Sequence, residues 1–284
     1  MAKLIDGKAI SAEVRAEIKA ETADFVAKTG IRPGLAVIIV GEDPASQVYV
    51  RNKKRACEEV GFYSESYELP AKTTQEELEA LVDKLNADKN IHGILVQLPL
   101  PKHLDEEKVL LKINPNKDVD AFHPYNVGRI MIGNYRFLPC TPAGVMTLIE
   151  RSGITVEGKT CVVVGRSNIV GKPMAMLLLH ANGTVTVCHS RTPDLKSVCK
   201  QADILVAAIG KADFFGADMV KEGAVVIDVG MNRNAAGKLT GDVDFASVEP
   251  IASYITPVPG GVGPMTITML MKNTLTAAKG AVSV

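Results

Sequence analysis

Tryptophan is absent from the 284 residues, and aromatic side chains make up only 5%. A stacking platform for single-stranded nucleic acid needs more rings than that. A surplus of one charge is missing too. Lys and Arg number 32 and Asp and Glu number 32. The balance holds locally, with 19 basic against 21 acidic residues in 1–140 and 13 against 11 in 141–284. This argues against nucleic-acid binding driven by bulk charge. Cysteine is sparse: five residues, an odd number, with no C-x-x-C spacing. That pattern speaks against a disulfide scaffold or a zinc site and predicts reduced thiols in a cytoplasmic protein. The first residues, MAKLIDGKAISAEV, carry no apolar core of a signal peptide. The longest uncharged stretch, Ile251–Met271, is interrupted by Pro257, Pro259 and Pro264, which argues against a membrane helix.

What is present is a 46% hydrophobic chain of a length suited to about two domains. Apolar strand-length runs alternate with amphipathic helices. The strands expected before residue 114 are Leu35–Val40, residues 63–69 and Gly93–Leu98. The helices around them are Ser11–Lys28, Ala45–Val60 and one from Thr73 or Thr74 to Ala87. The pattern breaks over Asn114–Pro139, which is rich in Asn, Gly and Pro. It resumes with strands at Thr160–Val164, Val185–Cys188, Ile204–Ile209 and Ala224–Val229. Such alternation predicts an α/β protein of two α/β domains, the second a Rossmann-like doubly wound parallel sheet. The expected boundaries are 1–138 and 139–264.

The strand ending at Val164 runs into Gly165-Arg-Ser-Asn-Ile-Val-Gly171 and then a helix. Backbone N–H groups and the positive helix end suit a phosphate there, although an ordinary strand–loop–helix turn has the same appearance. The next strand ends Cys188-His-Ser-Arg-Thr192 and lacks the acidic residue that would accept a ribose 2′-hydroxyl. Ser190 and Arg191 stand there, and Arg166 lies in the first loop. Two guanidiniums and a hydroxyl favour a 2′-phosphate, hence NADP over NAD. Gly210 and Gly230-Met231 end two further strands and are expected beside the same ligand.

In the first half, Tyr49 and Lys53 are spaced i, i+4 on one helix face. A lysine with a lowered pKa beside a ring could transfer protons against a flat substrate. Read alone, the stretch fits a solvated basic face as well, because Arg51, Lys54 and Arg55 crowd it. Gln97 sits inside an apolar strand and needs partners or a ligand. Asp120, in Asp118-Val-Asp120, could accept two hydrogen bonds from an amidine-like edge, or serve as a turn residue. Thr256–Thr266 is rich in Pro and Gly and reads as a stiff loop that a ligand can approach closely.

Five motifs occur in order over essentially the whole chain: YVRNKKRACEEVGF, GILVQLPLP, NKDVDAFHPYNVGR, VVVGRSNIVGKPM and ITPVPGGVGPMT. Together they resemble the bifunctional methylenetetrahydrofolate dehydrogenase/methenyltetrahydrofolate cyclohydrolase (FolD) family. The resemblance implies NADP-dependent oxidation of 5,10-methylenetetrahydrofolate, followed by hydrolysis to 10-formyltetrahydrofolate. It implies Lys53 as the proton-transfer residue and Tyr49 stacked on the folate. Gln97 would orient Lys53, and Asp120 would hold the pterin edge. Pro259, Gly260, Gly261 and Gly263 would line the folate, and Gly165, Arg166, Ser167, Ser190 and Met231 the cofactor. It further implies a cleft between the domains, a last helix (265–284) packed back on the first domain, and a homodimer. A monofunctional NADP-dependent dehydrogenase is the alternative, which the presence of Tyr49, Lys53 and Gln97 opposes. Ala121 stands where the family usually has Gly.

Overall fold

The computed structural model describes residues 1–42, 44–233 and 237–282, without the side chains of Pro44, Ala45, Ser46 and Tyr49. In chain order these residues form β1 (Lys3–Leu4), α1 (Gly7–Thr29), β2 (Gly34–Val40), α2 (Pro44–Val60), β3 (Tyr63–Leu69), α3 (Gln75–Ala87) and β4 (Gly93–Val96). There follow α4 (Glu106–Lys112), α5 (Pro124–Met131), α6 (Cys140–Arg151), β5 (Thr160–Val164), α7 (Gly171–His180), β6 (Thr184–Cys188), α8 (Leu195–Cys199) and β7 (Ile204–Ala207). A single 3-10 turn, Ala217–Met219, precedes β8 (Val225–Asp228), β9 (Asn232–Arg233), β10 (Leu239–Thr240), α9 (Phe245–Val248), β11 (Tyr254–Ile255) and α10 (Val262–Val282). The chain divides into two compact units. One comprises Glu13–Cys140 with Ile267–Val284, the other Met1–Ala12 with Thr141–Thr266.

The unit of residues 13–140 and 267–284 is built on a three-stranded parallel sheet in the order β3-β2-β4. All seven residues of the central strand β2 are buried, as expected for a parallel strand covered on both faces. Leu78, Val82 and Leu85 of α3 join Ile38, Ile94 and Val96 in one core cluster. Thr74 and Glu77 form a reciprocal capping box that starts α3. Helix α5 lies inside the stretch expected to be irregular. It is short, with Pro124 in its first turn and the His123 side chain accepting from Tyr125 N–H. Eight residues are too few for a clear helical period, which is why composition alone conceals it.

The unit of residues 1–12 and 141–266 carries a six-stranded parallel sheet in the order β1-β11-β8-β7-β5-β6. The chain moves outward from β5 to β6, then returns to the other flank of β5 as β7. The doubly wound sheet therefore has its switch point between β5 and β7, where ligands of open α/β sheets bind beyond the carboxyl ends. Val162, Leu205 and Val226 lie in the core cluster on this sheet. Their place in the sequence puts residues 1–12 with the first domain. In the fold, β1 pairs with β11 through Lys3↔Tyr254 and Leu4↔Ile255. Its two residues are both exposed, so no apolar alternation marks the strand in the sequence.

Among the described residues, no helix is long and apolar enough to cross a membrane.

Candidate active site and dinucleotide site

Helix α2 sorts its basic residues by face. Lys53 is 8% exposed and shares a stripe with buried Ala56, Cys57 and Val60, whereas Arg51, Lys54 and Arg55 are exposed. The i, i+3, i+4, i+7 spacing places Lys53 on the core side of an amphipathic helix. Its Nζ donates to Gln97 Oε1 at 2.8 Å. Gln97 follows β4 directly. Its backbone N–H donates to Ile38 carbonyl at 2.8 Å, and its Nε2 to Leu98 carbonyl at 2.8 Å. The amide is thereby oriented with its oxygen toward the lysine.

Asp120 sits on a loop shaped by a different carboxylate. Asp118, buried, accepts from Phe122 N–H at 3.3 Å, His123 N–H at 2.9 Å and Asn126 Nδ2 at 2.8 Å. Asn126 also donates to Pro115 carbonyl at 2.9 Å. From α10, Asn273 Nδ2 donates to the carbonyls of Val119 and Leu138, both at 2.8 Å. The Cys140 thiol donates to Asp120 Oδ1 at 3.6 Å. Ala121 adopts φ 58, the left-handed region that favours glycine.

Burial disfavours charge on both ionisable members of this group. It lowers the pKa of Lys53, against the opposing pull of Asp120, Cys140 and Cys57. It pushes the Asp120 carboxyl up to about 6, against the pull of Lys53. Each group's charge favours the charged form of the other. Desolvation brings the neutral amine and the neutral acid nearer to neutral pH than free side chains would be, which suits proton transfer. The Tyr49 side chain lies outside the described residues.

The second site lies at the carboxyl ends of β5, β6, β7 and β8. Val164 pairs with Cys188 and Ala207, so the loops after these strands emerge side by side. Gly165 has φ 136, and a Cβ there would fall 2.2 Å from Ala208 carbonyl. A Cβ on Gly171 would fall 2.2 Å from Gly165 carbonyl. Only glycine permits either approach. Ser167 Oγ accepts from the N–H groups of Val170 at 3.2 Å and Gly171 at 3.3 Å, closing the turn into α7. Arg166, Ser167, Ser190 and Arg191 are exposed. Arg191 N–H donates to His189 Nδ1 at 3.1 Å, and His189 N–H to Thr192 Oγ1 at 2.9 Å. The cradle at Gly165 and Gly171, the N-terminus of α7 and two exposed guanidiniums at neighbouring strand ends fit a dinucleotide carrying a 2′-phosphate.

The Pro259–Gly263 loop belongs to this same unit. Gly261 N–H donates to Pro257 carbonyl at 2.8 Å, and Lys8 N–H to Gly260 carbonyl at 3.1 Å. Met231, half-exposed, brings its Cε within 3.4 Å of the position of a Cβ on Gly263. Met231 and this loop therefore meet, while Lys53, Gln97 and Asp120 gather in the other unit.

Both halves of the chain match one family. Residues 5–120 match the tetrahydrofolate dehydrogenase/cyclohydrolase catalytic domain, and residues 139–282 match its NAD(P)-binding domain. The chain belongs to the tetrahydrofolate dehydrogenase/cyclohydrolase family. The "Bifunctional protein FolD" of Acetivibrio thermocellus is 65% identical over 98% of this chain and 97% of its own. That of Moorella thermoacetica is 63% identical over 98% and 99%. The crystal structure of the Campylobacter jejuni bifunctional FolD, a methylenetetrahydrofolate dehydrogenase/cyclohydrolase, superposes with a TM-score of 0.96 at 52% identity, covering 99% of each chain. The Trypanosoma brucei FolD, complexed with NADP cofactor and inhibitor, gives 0.95 at 44% identity, covering 100% of this chain and 99% of its own.

Within this member of the tetrahydrofolate dehydrogenase/cyclohydrolase family, several polar residues escaped sequence reasoning. Cys140 reads as an apolar helix residue until it is found against Asp120. Asn273 lies in an apolar helix, and a polar amide among Met and Leu residues was the available signal. Asp228, at the end of β8, and Asp242, two residues beyond β10, are both buried, and no hydrophobic period marks either.

Proposed function

We propose that this chain is a bifunctional folate enzyme. It oxidises 5,10-methylenetetrahydrofolate with NADP+ and hydrolyses the resulting 5,10-methenyltetrahydrofolate to 10-formyltetrahydrofolate. The observation that carries the reading is the buried Lys53 amine, held at 2.8 Å by Gln97 and electrostatically coupled to Asp120, in a chain of this family.

The hydrolytic half requires a group that moves protons near neutral pH. Water adds to the cationic methenyl carbon, and the neutral Lys53 amine takes a proton from it. Lys53 returns that proton to N5 as the carbon–N5 bond breaks, and the remaining hydroxyl proton leaves as the formyl carbonyl forms. Gln97 keeps Nζ aimed during both transfers. Asp120 accepts hydrogen bonds from the pterin edge, and Tyr49 stacks on the ring system. Pro259, Gly260, Gly261 and Gly263 let backbone approach the folate. NADP, when bound, supplies the two-electron acceptor for oxidation of the methylene carbon. Gly165, Ser167 and Gly171 would admit its diphosphate to the N-terminus of α7, and Met231 would contact it. Arg166, Ser190 and Arg191 hold the 2′-phosphate. In this reading residues 139–264 form the NADP domain. Residues up to 138, apart from the first twelve, form the folate domain together with the 265–284 helix.

The five cysteines are free and buried, which supports a reducing, cytoplasmic setting. The family resemblance supports a homodimer, which sedimentation equilibrium tests. The decisive assay supplies methylenetetrahydrofolate and NADP+ and follows NADPH and the methenyl species separately. Both activities are expected. NADPH without enzyme-dependent loss of the methenyl species would leave a monofunctional dehydrogenase, and no NADPH would remove the enzyme reading.

A further inference from the structure

Asp242 is completely buried, and no ligand contact is assigned to it. Its carboxylate accepts from three consecutive backbone N–H groups: Ile209 at 2.6 Å, Gly210 at 3.1 Å and Lys211 at 2.8 Å. A fourth donor, Asn232 Nδ2, lies at 2.9 Å. Four donors match the acceptor capacity of a carboxylate. The contact with Lys211 is through its backbone, because the Lys211 ammonium stands over the Phe214 ring, 5.5 Å from its centroid.

The three N–H groups belong to the turn after β7, across Gly210 at φ 68. β7 flanks the switch point, and Ala208 packs against Gly165 of the diphosphate turn. Asp242 is itself held in place. Asp228, at the end of β8, accepts from the N–H groups of Asp242, Val243 and Gly230, each at 2.9 Å. Two buried carboxylates thus tie the loops after two adjacent strands into one rigid rim. Without an acceptor at 242, three inward-facing N–H groups would lose their partner and the turn would reorganise.

We propose that Asp242 is a positioning residue for NADP: it pre-forms the Ile209–Lys211 backbone against which the dinucleotide binds. This rests on reading the unit of residues 1–12 and 141–266 as the NADP unit. Asp242→Asn supplies an amide with fewer acceptor sites and two added donors. The dissociation constant of NADP+, measured by titration calorimetry, is expected to rise at least about tenfold, and the dehydrogenase KM for NADP+ with it. Methenyl hydrolysis without cofactor should stay within about twofold, reporting an intact fold. Asn232→Ala, which spares the three backbone bonds, should leave the NADP+ constant within about threefold.

Amide hydrogen exchange on the wild-type enzyme gives an independent readout. The amides of residues 209–211 should be protected before NADP+ is added and stay so afterwards. An Asp242→Asn constant within twofold of wild type would overturn the proposal. So would an Asn232→Ala loss as large as that of Asp242→Asn, or amides that become protected only with NADP+. A wild-type enzyme that binds no NADP+ would instead refute the reading of the unit on which the proposal rests.

Discussion

Replacing Gly171 by alanine is the sharpest test of the dinucleotide turn. The added Cβ would fall 2.2 Å from Gly165 carbonyl oxygen, 2.5 Å from its carbon and 2.8 Å from Arg166 nitrogen. All three are backbone atoms, so no side-chain rotamer relieves the clash. Gly165 has no room to retreat, because any Cβ of its own would already lie 2.2 Å from Ala208 carbonyl. The turn must open by roughly 1 Å to restore contact, an overpacking that costs about 1–3 kcal/mol. A displacement of that size in positioning residues lowers a rate by about a hundredfold, or about 2.7 kcal/mol in the barrier. We expect kcat/KM for NADP+ to fall by about that factor, read as NADPH formation from methylenetetrahydrofolate. Methenyl hydrolysis without cofactor should be unchanged. Gly128→Ala in α5 is the control: nothing lies within 4 Å of its added methyl, and alanine in a helix is favoured by up to about 1 kcal/mol. A Gly171→Ala enzyme whose KM for NADP+ and dehydrogenase kcat both stay within twofold of wild type would refute the assignment of this turn to the diphosphate.

Lys53→Met should abolish methenyl hydrolysis while the NADP+ dissociation constant stays within about twofold; weakened NADP+ binding would remove Lys53 from the role given to it. Arg191→Ala should weaken NADP+ by about tenfold, the worth of a charge-assisted hydrogen bond, and weaken NAD+ far less; equal weakening would exclude Arg191 from 2′-phosphate recognition. Stability should also carry the signature of buried Lys53. Its folded pKa lies below the unfolded value of 10.5, so between the two the unfolded chain binds the extra proton and stability rises with pH. Denaturant midpoints of wild type should climb more steeply across that window than those of Lys53→Met; parallel slopes would mean that Lys53 is not desolvated.

Much of the fold was open to reading because local rules and tertiary demand agree. Leu35–Val40 is a continuous apolar run and became a strand buried on both faces. Leu78, Val82 and Leu85 keep a helical period and became the core face of α3. Elements too short to show a period stayed hidden: the two-residue β1 and β11, and α5, which Asp118 stabilises from outside the helix by accepting from His123 N–H and Asn126 Nδ2.

By itself, the sequence determined the α/β class, the order of the longer strands along the chain, and the glycine turn between β5 and α7. Each depends on neighbours within a few residues, through hydrophobic period and backbone permissiveness. It also narrowed the chemistry to Tyr49, Lys53, Gln97 and Asp120, which the residues alone offered as separate candidates and only the family resemblance joined. Only the tertiary structure decided that Lys53 and Gln97 share a hydrogen bond, that Lys53 turns away from the solvated basic face of α2, and that burial offsets the mutual attraction of Lys53 and Asp120. The same holds for Asp242, which binds a turn 31–33 residues earlier. Desolvation and convergence of hydrogen bonds arise from three-dimensional neighbours, and no spacing along the chain encodes them.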